Sequence, residues 1–377
     1  MWVSHIALTD FRSYGKASLE LPSGPSVLVG PNGQGKTNLV EAIGYVATLS
    51  SHRVSSDAAL IRQGREAALI QVAAKVDSRP ISVEVTLNRT GANQARVNKN
   101  RVPRIREVLG NIRCVVFAPE DLRLVRGDPS ERRRFLDELM VQVAPRYAGL
   151  RLDYERVLKQ RNALLRSSAG RGSDAISASL AAWDEQLIAA GTELMLGRLN
   201  ALRWLAPALK TAYQQISPIP AELTAEYRSS TGETQDLRNS EDVAAALRVA
   251  LLAQRSAELA RGVTLVGPHR DDLEISLDGT LAKGFASHGE SWSICLALRM
   301  ASFSVITEIT QDHPILVLDD VFAELDSQRR ERLAHSVSSA DQVLITAAVA
   351  ADIPTGLGGQ RFEVAKSAGE THISAGK

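Results

Sequence analysis

Residues 26–49 read SVLVGPNGQGKTNLVEAIGYVATL, and this stretch decides the fold class. Its first part, SVLVG, is a short apolar run typical of a buried strand, and KTNLVEAIGYVATL carries apolar residues at helical spacing. The segment between them, residues 30–37, fits the phosphate-loop pattern G-x-x-x-x-G-K-[ST]. A chance match is the alternative, but a glycine-rich turn between a strand and a helix is the context that confirms the motif. The sequence therefore predicts an α/β domain that binds a nucleotide.

The residue types of this loop suit a bound phosphate. The unpaired N–H groups and the dipole at a helix N-terminus favour an anion, and glycines let the backbone curl around it. Lys36 is predicted to neutralise the β- and γ-phosphates and Thr37 to ligate Mg²⁺, so ATP and Mg²⁺ are the expected cofactors. The predicted nucleotide-binding residues of the loop are Gly30, Pro31, Asn32, Gly33, Gln34, Gly35, Lys36, Thr37 and Asn38.

A second apolar run supplies the acidic half of the site. Residues 315–326 read ILVLDDVFAELD, so a predicted buried strand ends in Asp319 and Asp320, and open α/β sheets place their ligands at such strand ends. We predict that Asp319 holds Mg²⁺ through water. Asp320 and Lys36 are the predicted catalytic residues, with Asp320 orienting and deprotonating the attacking water. The alternative is that the two aspartates merely end a strand in a polar turn.

The separation of the two halves predicts the domain organisation. About 280 residues lie between Thr37 and Asp319, which is far more than a loop contains, so a whole domain must intervene. Before it, the stretch to about residue 125 is strand-rich, and alternating runs such as ISVEVTLNR at 81–89 predict antiparallel strands. After it, from Val263, the chain is predicted to be α/β again.

The intervening stretch is predicted to be helical. Apolar residues at helical spacing follow Ser130, a glycine- and serine-rich break falls at 167–173, and a second amphipathic helix continues to Leu209. Two such helices joined by a short turn predict an antiparallel hairpin with arms of roughly 50 Å each. The predicted fold class is α/β with a helical insertion, with an N-terminal ATPase part at 1–128, a helical lobe at 129–262 and a C-terminal ATPase part at 263–377.

Composition bounds the function classes. With 377 residues, 44% hydrophobic and 23% charged, the chain has the composition of a soluble globular protein. No apolar run approaches the roughly 20 residues that cross a bilayer, and the N-terminus has no signal-peptide core. Cys114 and Cys295 lie in apolar runs, as reduced core thiols do. We therefore expect a cytoplasmic protein with no membrane partner.

Charge limits how this chain could bind DNA. A net charge of +1 argues against a protein that coats nucleic acid by charge alone, so DNA binding needs local basic faces or a surface assembled by oligomerisation. Two basic stretches are present, and a solvated polar face is the alternative interpretation of each. They comprise Arg96, Lys99, Arg101, Arg104 and Arg106, and then Arg123, Arg126, Arg132, Arg133 and Arg134.

A P-loop near the N-terminus, an acidic strand near the C-terminus and a helical insertion together resemble the SMC-like branch of the ABC ATPases. Four runs narrow the resemblance to the RecF family, and their order and spacing are similar to that family over nearly the whole chain. The runs are GPNGQGKTN at 30–38, FAPEDLRLVRGDPSERRRFLD at 117–137, VGPHRDDLEI at 266–275 and LDDVFAELD at 318–326. The second and third runs are absent from ABC transporters. The resemblance implies an ABC-type P-loop ATPase lobe with an inserted helical lobe.

The resemblance also implies further site residues. ASHGES at 286–291 occupies the ABC signature position, which implies that Ser287 and Gly289 cap the γ-phosphate of ATP bound to the opposite subunit. Glu290 stands where the family usually has glutamine, and a plain helix cap is the alternative for this segment. Arg12, in the FRSY turn, resembles an arginine that approaches the nucleotide in relatives, with plain surface exposure as the alternative.

Three other segments were compared with ABC-type motifs, and one of them matches. Residues 324–326 match the D-loop, which lies at the dimer seam in the family. Thr346 and Ala347 follow the last predicted strand, where ABC transporters usually carry a histidine. Residues 119–121 stand in the region where a Q-loop glutamine is expected, and they contain none.

The function that the resemblance implies is ATP-controlled DNA repair. Family members are expected to form an ATP-dependent homodimer, to hydrolyse ATP slowly, and to bind gapped DNA or single-strand/double-strand junctions. RecR and RecO are the implied partners, with RecA loading as the outcome and the nucleoid as the location. Two rivals are the ATPase subunit of an ABC transporter and a chromosome-organising SMC-type protein. The missing histidine disfavours the first, and the short predicted arms disfavour the second.

Overall fold

The computed structural model describes residues 1–76, 79–168, 174–234, 237–367 and 369–376. The chain forms two compact units, each built from segments that are distant in sequence. Unit 1 consists of Met1–Val125, Pro207–Leu223 and Ala286–Lys377, and unit 2 consists of Arg126–Ala206 and Thr224–Phe285.

The secondary structure follows in chain order. The strands are β1 Trp2–Phe11, β2 Tyr14–Glu20, β3 Gly24–Val29, β4 Ala67–Val76, β5 Arg79–Asn88, β6 Gln94–Val97, β7 Asn100–Arg101, β8 Cys114–Phe117, β9 Leu223–Arg228, β10 Asp272–Leu277, β11 Thr280–Leu281, β12 Ile315–Asp319, β13 Gln342–Ala347, β14 Gln360–Ser367 and β15 Glu370–Ala375. The helices are α1 Lys36–Thr48, α2 Leu122–Arg126, α3 Pro129–Val143, α4 Arg146–Ser168, α5 Asp174–Ile216, α6 Ser240–Arg261, α7 Ala282–Phe285, α8 His288–Thr310 and α9 Ser327–Val337.

Unit 1 contains two six-stranded sheets. One is antiparallel, with the strand order β2-β1-β4-β5-β6-β7. The other has the order β15-β14-β3-β13-β12-β8, in which the strands from β14 to β8 are parallel and β15 is antiparallel. Strands β12 and β13 are buried at every position, as expected for the centre of a parallel sheet. The predicted α/β class is confirmed.

One apolar core joins the sheets of unit 1 to α1. In β5, alternate residues Val83, Val85 and Leu87 are fully buried, which confirms the antiparallel strand predicted from the run at 81–89. The same core contains Ile43 of α1 and Leu28 of β3. Helix α1 is thus held on its apolar face by both sheets, which fixes the position of its N-terminus.

Unit 2 contains a helical hairpin formed by α4 and α5. Arg161 of α4 bonds to Asp184 of α5, and Tyr154 lies beside Gly191. Because the residue numbers rise along one helix as they fall along the other, the two helices run antiparallel, as predicted. A Cβ atom on Gly197 would lie 2.6 Å from the ring of Tyr147, so this close approach requires glycine. Most of the predicted turn at 167–173 lies outside the described residues.

The sequence pattern predicted one continuous helical stretch after Ser130, but the structure interrupts it. Helix α3 ends at Val143 and α4 begins at Arg146, with Ala144 in an extended conformation between them. The break occurs because Pro145 lacks an N–H group and pushes the residue before it out of the helical region. The arms are also unequal. Helix α4 has 23 residues and α5 has 43, so at about 1.5 Å per residue they span about 34 and 64 Å.

The lobe boundaries differ from the prediction in two segments. The first boundary, predicted at 128/129, lies close to the observed change at Val125. Residues 263–285 were assigned to the C-terminal ATPase part, but Thr224–Phe285 belongs to unit 2. Pro207–Leu223 was assigned to the helical lobe, but it belongs to unit 1.

A buried polar network explains why the segment around residue 270 belongs to unit 2. The guanidinium of Arg161 is fully buried and donates to Asp184, Glu258 and Thr264. Other residues of the VGPHRDD run take part in similar contacts. Pro268 accepts a bond from Arg198 at 2.6 Å, Tyr154 bonds to His269 at 2.7 Å, Asp271 accepts from Tyr227 at 2.7 Å, and Asp272 accepts from Arg132 at 2.7 Å. This run therefore supports the interior of unit 2.

By length and composition, α8 is long and apolar enough to cross a membrane, which the sequence analysis did not expect. Within the described residues it is the one helix of this kind. Its apolar window is 67% buried inside the fold. That burial is typical of a core helix.

Replacing Glu258 with Gln tests the buried network. Gln keeps the shape and the bond that Glu258 accepts from the N–H of Leu265, but it removes the charge that faces Arg161 at 2.6 Å. Because an uncompensated buried charge is costly, we expect the free energy of unfolding to fall by about 3 kcal/mol. Urea denaturation followed by circular dichroism measures the loss. The control is Glu185→Gln, whose pair with Arg248 is exposed and is worth less than about 1 kcal/mol. Equal losses in the two variants would contradict the prediction.

Candidate functional site

The carboxyl ends of four parallel strands meet at one edge of the second sheet. Val29 lies opposite Ala347, Thr346 opposite Asp319, and Leu318 opposite Phe117. The phosphate loop after β3, the aspartates at the end of β12 and Thr346 at the end of β13 therefore share this edge. Ligands bind at such edges in open α/β sheets. The strand order brings together the two halves of the site that the sequence separates.

Residues of β14 and β15 form hydrogen bonds to the phosphate loop. Gly33 and Gly35 have φ values of 80° and 108°, in the region that favours glycine. The side chain of Gln34 accepts a hydrogen bond from the N–H of Lys366 at 2.6 Å, and its carbonyl accepts one from the Thr371 hydroxyl at 2.9 Å. These contacts shape the loop from a part of the chain for which sequence analysis predicted no role.

Lys36 lies inside the loop. Its ammonium donates to the carbonyl of Gly30 at 2.7 Å and the carbonyl of Pro31 at 3.3 Å, and lies 3.5 Å from the side-chain oxygen of Asn32. The side chain is buried. A phosphate oxygen is a charged acceptor and forms stronger bonds with the same donor than a neutral carbonyl does. The role of Lys36 in neutralising the β- and γ-phosphates stays a prediction.

Thr37 and Asp319, the two predicted Mg²⁺ residues, are in direct contact. The hydroxyl of Thr37 donates to the Oδ1 atom of Asp319 at 2.9 Å. Hydroxyl and carboxylate oxygens are the hard ligands that Mg²⁺ prefers, so this pair fits the metal. The described residues contain no group of three His, Cys, Asp or Glu that could hold a metal ion. Mg²⁺ here would depend on phosphate and water for its other ligands.

Thr346 is a site residue that sequence analysis noted only for not being histidine. Its hydroxyl donates to Oδ1 of Asp319 at 2.6 Å and accepts the N–H of Asp320 at 2.9 Å. Burial raises the pKa of Asp319, while the hydrogen bonds from Thr346 and Thr37 oppose this shift. The sequence does show a threonine at the end of the predicted strand that became β13. Its contact with Asp319 could be predicted only if β13 were known to lie between β3 and β12.

Asp320 has an unusual backbone and an available carboxylate. Its φ is 52°, in the left-handed region that Asp tolerates better than most residues. The side chain is partly exposed, and among the described residues it has no hydrogen-bond or ion-pair partner. A carboxylate in this state can accept a proton from water. The role of Asp320 as the base that activates water stays a prediction.

His52 also points to this site, and sequence analysis did not single it out. Its Nε2 atom is buried, has no hydrogen-bond partner in the described part of the chain, and lies 4.0 Å from Oδ2 of Asp319. The residues on either side are anchored to α1, because Ser51 and Arg53 both bond to Glu41. No spacing rule marks a histidine in the loop after a P-loop helix, so the sequence carried no signal for it.

Arg12 forms an ion pair with α1. Its guanidinium donates to both carboxylate oxygens of Glu41, at 2.9 and 2.7 Å, and to the carbonyl of Ala59 at 3.0 Å. Burial opposes ionisation of Glu41, but hydrogen bonds from Arg12 and Ser51 lower its pKa overall. Asn38, a predicted nucleotide-binding residue, donates to Ser13 at 2.8 Å and accepts from Arg53 at 2.9 Å. These bonds brace the first turns of α1.

Ser287 caps helix α8. Its hydroxyl accepts the N–H of Glu290 at 3.3 Å, and the Glu290 carboxylate accepts the N–H of Ser287 at 2.8 Å. This reciprocal pair is a capping box, and the hydrogen bonds from Ser287 lower the pKa of Glu290. Glu290, at the position where the resemblance led us to expect glutamine, thus has a local structural role. Neither Ser287 nor Gly289 has a hydrogen bond or ion pair to the phosphate loop within the described residues of one protomer.

Arg329 connects the signature segment to the D-loop. It donates to Ser293 of α8 at 2.9 Å and forms an ion pair with Asp326, which caps α9. A Cβ atom on Gly289 would lie 3.0 Å from this guanidinium. Glycine at this position therefore leaves room for the arginine. Hydrogen bonds and charge from Arg329 also hold the pKa of Asp326 below its usual range.

The segment Pro119–Asp121 follows β8 at the same sheet edge. Asp121 accepts the N–H of Ala118 at 3.1 Å and pairs with Arg299 of α8 at 2.6 Å. This carboxylate is therefore committed to the turn and to α8. Glu120, the other acidic residue of the segment, takes no part in these contacts.

Residues 2–354 match the family described as the RecF/RecN/SMC N terminal domain. The chain is 50% identical over 372 residues to the DNA replication and repair protein RecF of Streptomyces avermitilis, covering 97% of this chain and 98% of that protein. The chain belongs to the RecF family. It is also 49% identical over 388 residues to the DNA replication and repair protein RecF of Beutenbergia cavernae, covering 97% of this chain and 98% of that protein.

Solved structures agree with this family. The structure of the recombination mediator protein RecF-ATP in the RecFOR pathway has a TM-score of 0.90 and 27% identity, covering 99% of this chain and 98% of that chain. An SmcHead bound to the C-winged helix domain of ScpA has a TM-score of 0.56 and 16% identity, covering 100% of this chain and 97% of that chain, and shows a shared fold alone. The predicted family and the ABC-type ATPase fold are confirmed. RecF membership sets aside the transporter and the chromosome-organising rivals.

Replacing Thr346 with Val tests the support of Asp319. Valine has a similar shape but removes the donor to Asp319 and the acceptor for Asp320. Loss of such outer support typically lowers metal affinity by about 10- to 100-fold, so we expect Mg²⁺-dependent ATP binding to weaken by about 10-fold or more. Calorimetric titration of ATP at several Mg²⁺ concentrations measures the effect. Thr346→Ser keeps the hydroxyl and should bind like the parent; if Thr346→Val does so too, the predicted role of Thr346 is wrong.

Proposed function

We propose that this chain is an ATP-dependent DNA-binding protein of recombinational repair, with ATP and Mg²⁺ as cofactors. The observation that carries the proposal is the contact between Thr37 and Asp319 at 2.9 Å, next to Lys36 in the phosphate loop. Membership of a family of DNA replication and repair proteins supports the repair role. The similar RecF-ATP structure supports ATP as the nucleotide.

The residues of one protomer bind and orient ATP. The N–H groups of the loop and of the first turn of α1 hold the phosphates, and Lys36 neutralises the β- and γ-phosphates. Mg²⁺, when bound, would supply positive charge that stabilises the negative charge developing on the phosphate oxygens during hydrolysis. Thr37 and Asp319 are the residues that hold it, and Thr346 keeps Asp319 in position. Glu41, Arg12 and Arg53 keep the helix in place.

Hydrolysis requires a base for water. Water attacks the γ-phosphorus, the bond from that phosphorus to the bridging oxygen breaks, and ADP and phosphate are the products. Asp320 accepts the proton of the attacking water. We propose that this reaction is slow and that it releases an assembled complex, so that the protein acts as a switch.

Asp320→Asn separates binding from chemistry. Asn keeps the size of the side chain and tolerates the left-handed backbone of residue 320, but it cannot accept the proton. We expect ATP affinity close to that of the parent and a turnover rate lower by about 100-fold or more. Single-turnover hydrolysis and nucleotide titration give the two quantities. Lys36→Met is the opposite control, because it should lose ATP affinity; normal turnover in Asp320→Asn would assign the base elsewhere.

We propose that two protomers bind head to tail around two ATP molecules. In this arrangement Ser287 and Gly289 of one protomer cap the γ-phosphate held by the loop of the other. The N-terminus of α8 is suited to this, since α8 has 23 residues whose first N–H groups and dipole attract an anion. The D-loop at 324–326 lies at the same seam. ADP lacks the phosphate that joins the halves, so it should not support the dimer.

The ATP-bound dimer is the form that we propose binds gapped DNA and single-strand/double-strand junctions. RecR and RecO are its proposed partners, and loading of RecA is the proposed outcome. The proposed location is the cytoplasm, at the nucleoid. Because the net charge is +1, affinity for DNA should come from a local basic face, fall steeply with salt and rise with ATP.

Ser287→Arg tests the shared site. A long side chain would enter a seam that accommodates a hydroxyl, while Lys36 and Thr37 of the same protomer are unchanged. We expect ATP binding by the monomer to survive, and ATP-dependent dimerisation, hydrolysis and ATP-stimulated DNA binding to fail together. Light scattering with ATP and nucleotide titration are the measurements.

A second variant at Ser287 distinguishes the effect of added side-chain bulk from the effect of losing the helix cap. Ser287→Ala removes the cap, at a typical cost of about 1 kcal/mol, without adding bulk, and it should still dimerise. If Ser287→Arg dimerises and hydrolyses ATP normally, Ser287 is an ordinary helix cap and the shared-site proposal has to be abandoned.

A further inference from the structure

The edge of the antiparallel sheet carries an unusual group of positive charges. Strands β6 and β7 form the end of this sheet and are joined by a tight turn at Asn98 and Lys99. Both turn residues have positive φ values, 50° and 68°. Such turns favour glycine or asparagine, so the lysine is not the residue that the backbone prefers. We call Arg96, Lys99, Arg101 and Arg104 the basic edge.

Two charges of the basic edge lie directly opposite each other. Arg96 of β6 is the cross-strand partner of Arg101 of β7. Like charges in this position destabilise a sheet. The carboxylate nearest to Arg96 is that of Glu84 on β5, at 3.8 Å, and the Arg96 side chain is 60% exposed. The pairing therefore works against the local stability of the hairpin.

The other three charges of the basic edge have no such partner. Lys99, Arg101 and Arg104 are exposed. Within the residues that the structure describes, their side chains have no hydrogen bond and no ion pair. The hairpin and the segment after it, residues 94–106, contain no acidic and no aromatic residue. The basic edge is therefore a concentrated positive charge on a chain whose net charge is +1.

The second basic stretch of the sequence behaves differently. Arg132 pairs with Asp272 at 2.7 Å, Arg133 donates to the carbonyl of Asp271 at 2.7 Å, and Arg134 pairs with Glu138 at 2.8 Å. Arg132 and Arg133 thus bond to the segment at 271–272 of unit 2, and Arg134 pairs with Glu138 one turn along α3. The structure therefore separates these three arginines from the basic edge, although composition alone treats the two stretches as equal.

We infer that the basic edge binds the phosphate backbone of double-stranded DNA. Charged residues on an edge strand also discourage aggregation, but that purpose does not require two arginines opposite each other. A phosphate between them would offset their repulsion. Because residues 94–106 contain no aromatic side chain that could stack on a base, the contact is with the backbone and does not depend on sequence. This inference rests on the proposed function and adds the surface that contacts DNA.

The first experiment compares two triple variants that remove the same charge. One is Lys99→Gln, Arg101→Gln and Arg104→Gln. The control is Arg156→Gln, Arg228→Gln and Arg248→Gln, because each of these exposed arginines already pairs with a carboxylate. Fluorescence anisotropy with a labelled gapped duplex and ATP is measured from 50 to 300 mM salt. For the basic-edge variant we expect affinity lower by about 10-fold or more and a salt slope smaller by about 3.

A single charge reversal excludes a merely structural effect. Arg101→Glu replaces a repulsive cross-strand pair by an attractive one. We expect the melting temperature to stay the same or rise while DNA affinity falls by about 10-fold or more. A loss of DNA binding through misfolding would instead lower both quantities. ATP titration of the monomer should match the parent, since residues 30–37 are unchanged.

The outcomes separate this inference from the proposed function. If the parent does not bind the duplex with ATP, the proposed function fails and this inference fails with it. If the parent binds, the proposed function stands. The inference is then overturned when the basic-edge variant and Arg101→Glu keep the affinity and salt slope of the parent, or when the control triple loses as much affinity.

Discussion

The two hydrogen bonds that Thr37 and Thr346 donate to Asp319 are the interaction on which the site depends. They join α1 and β13 to the end of β12, at 2.9 and 2.6 Å. A buried carboxylate without donors or a cation is costly, so α1 cannot move away from β12 without leaving Asp319 poorly satisfied. These two bonds therefore couple the position of the phosphate loop to that of the acidic strand.

Local sequence patterns were sufficient to predict the phosphate loop and the acidic strand, but they did not identify the residues that surround Asp319. The glycine pattern, Lys36 and Asp319 could be predicted because each belongs to a short run with its own chemistry. Thr346 and His52 could not, because their roles depend on strand order and on a loop that Ser51 and Arg53 anchor. Pro145 was a signal for a helix break, but apolar residues continue at helical spacing on both sides of it, so one continuous helical stretch was predicted. The assignment of residues 263–285 failed for another reason, since it depends on a buried network with partners about 100 residues away.

The availability of charged side chains at the surface was the property that the sequence predicted least well. The run RRR at 132–134 has the higher local density of arginine, yet Arg132 pairs with Asp272, which is 140 residues away. The more dispersed charges at 96–104 remain exposed. Whether an arginine is available to a ligand depends on the carboxylates that folding brings near it, and composition does not contain that information. This is also why a net charge of +1 does not exclude a strongly positive surface.

The glutamate in the signature segment looks unsuited to a phosphate site, but its surroundings change that conclusion. The Glu290 carboxylate turns back to the N–H of Ser287 at 2.8 Å, so it is already engaged at the start of α8. The guanidinium of Arg329 lies next to Gly289, which places a positive charge beside the negative one. In the shared site that we propose, a γ-phosphate approaching Ser287 from another protomer would meet a carboxylate that already accepts the N–H of Ser287. Glutamate can therefore replace glutamine here, because a capping box needs only an acceptor at this position and both side chains provide one.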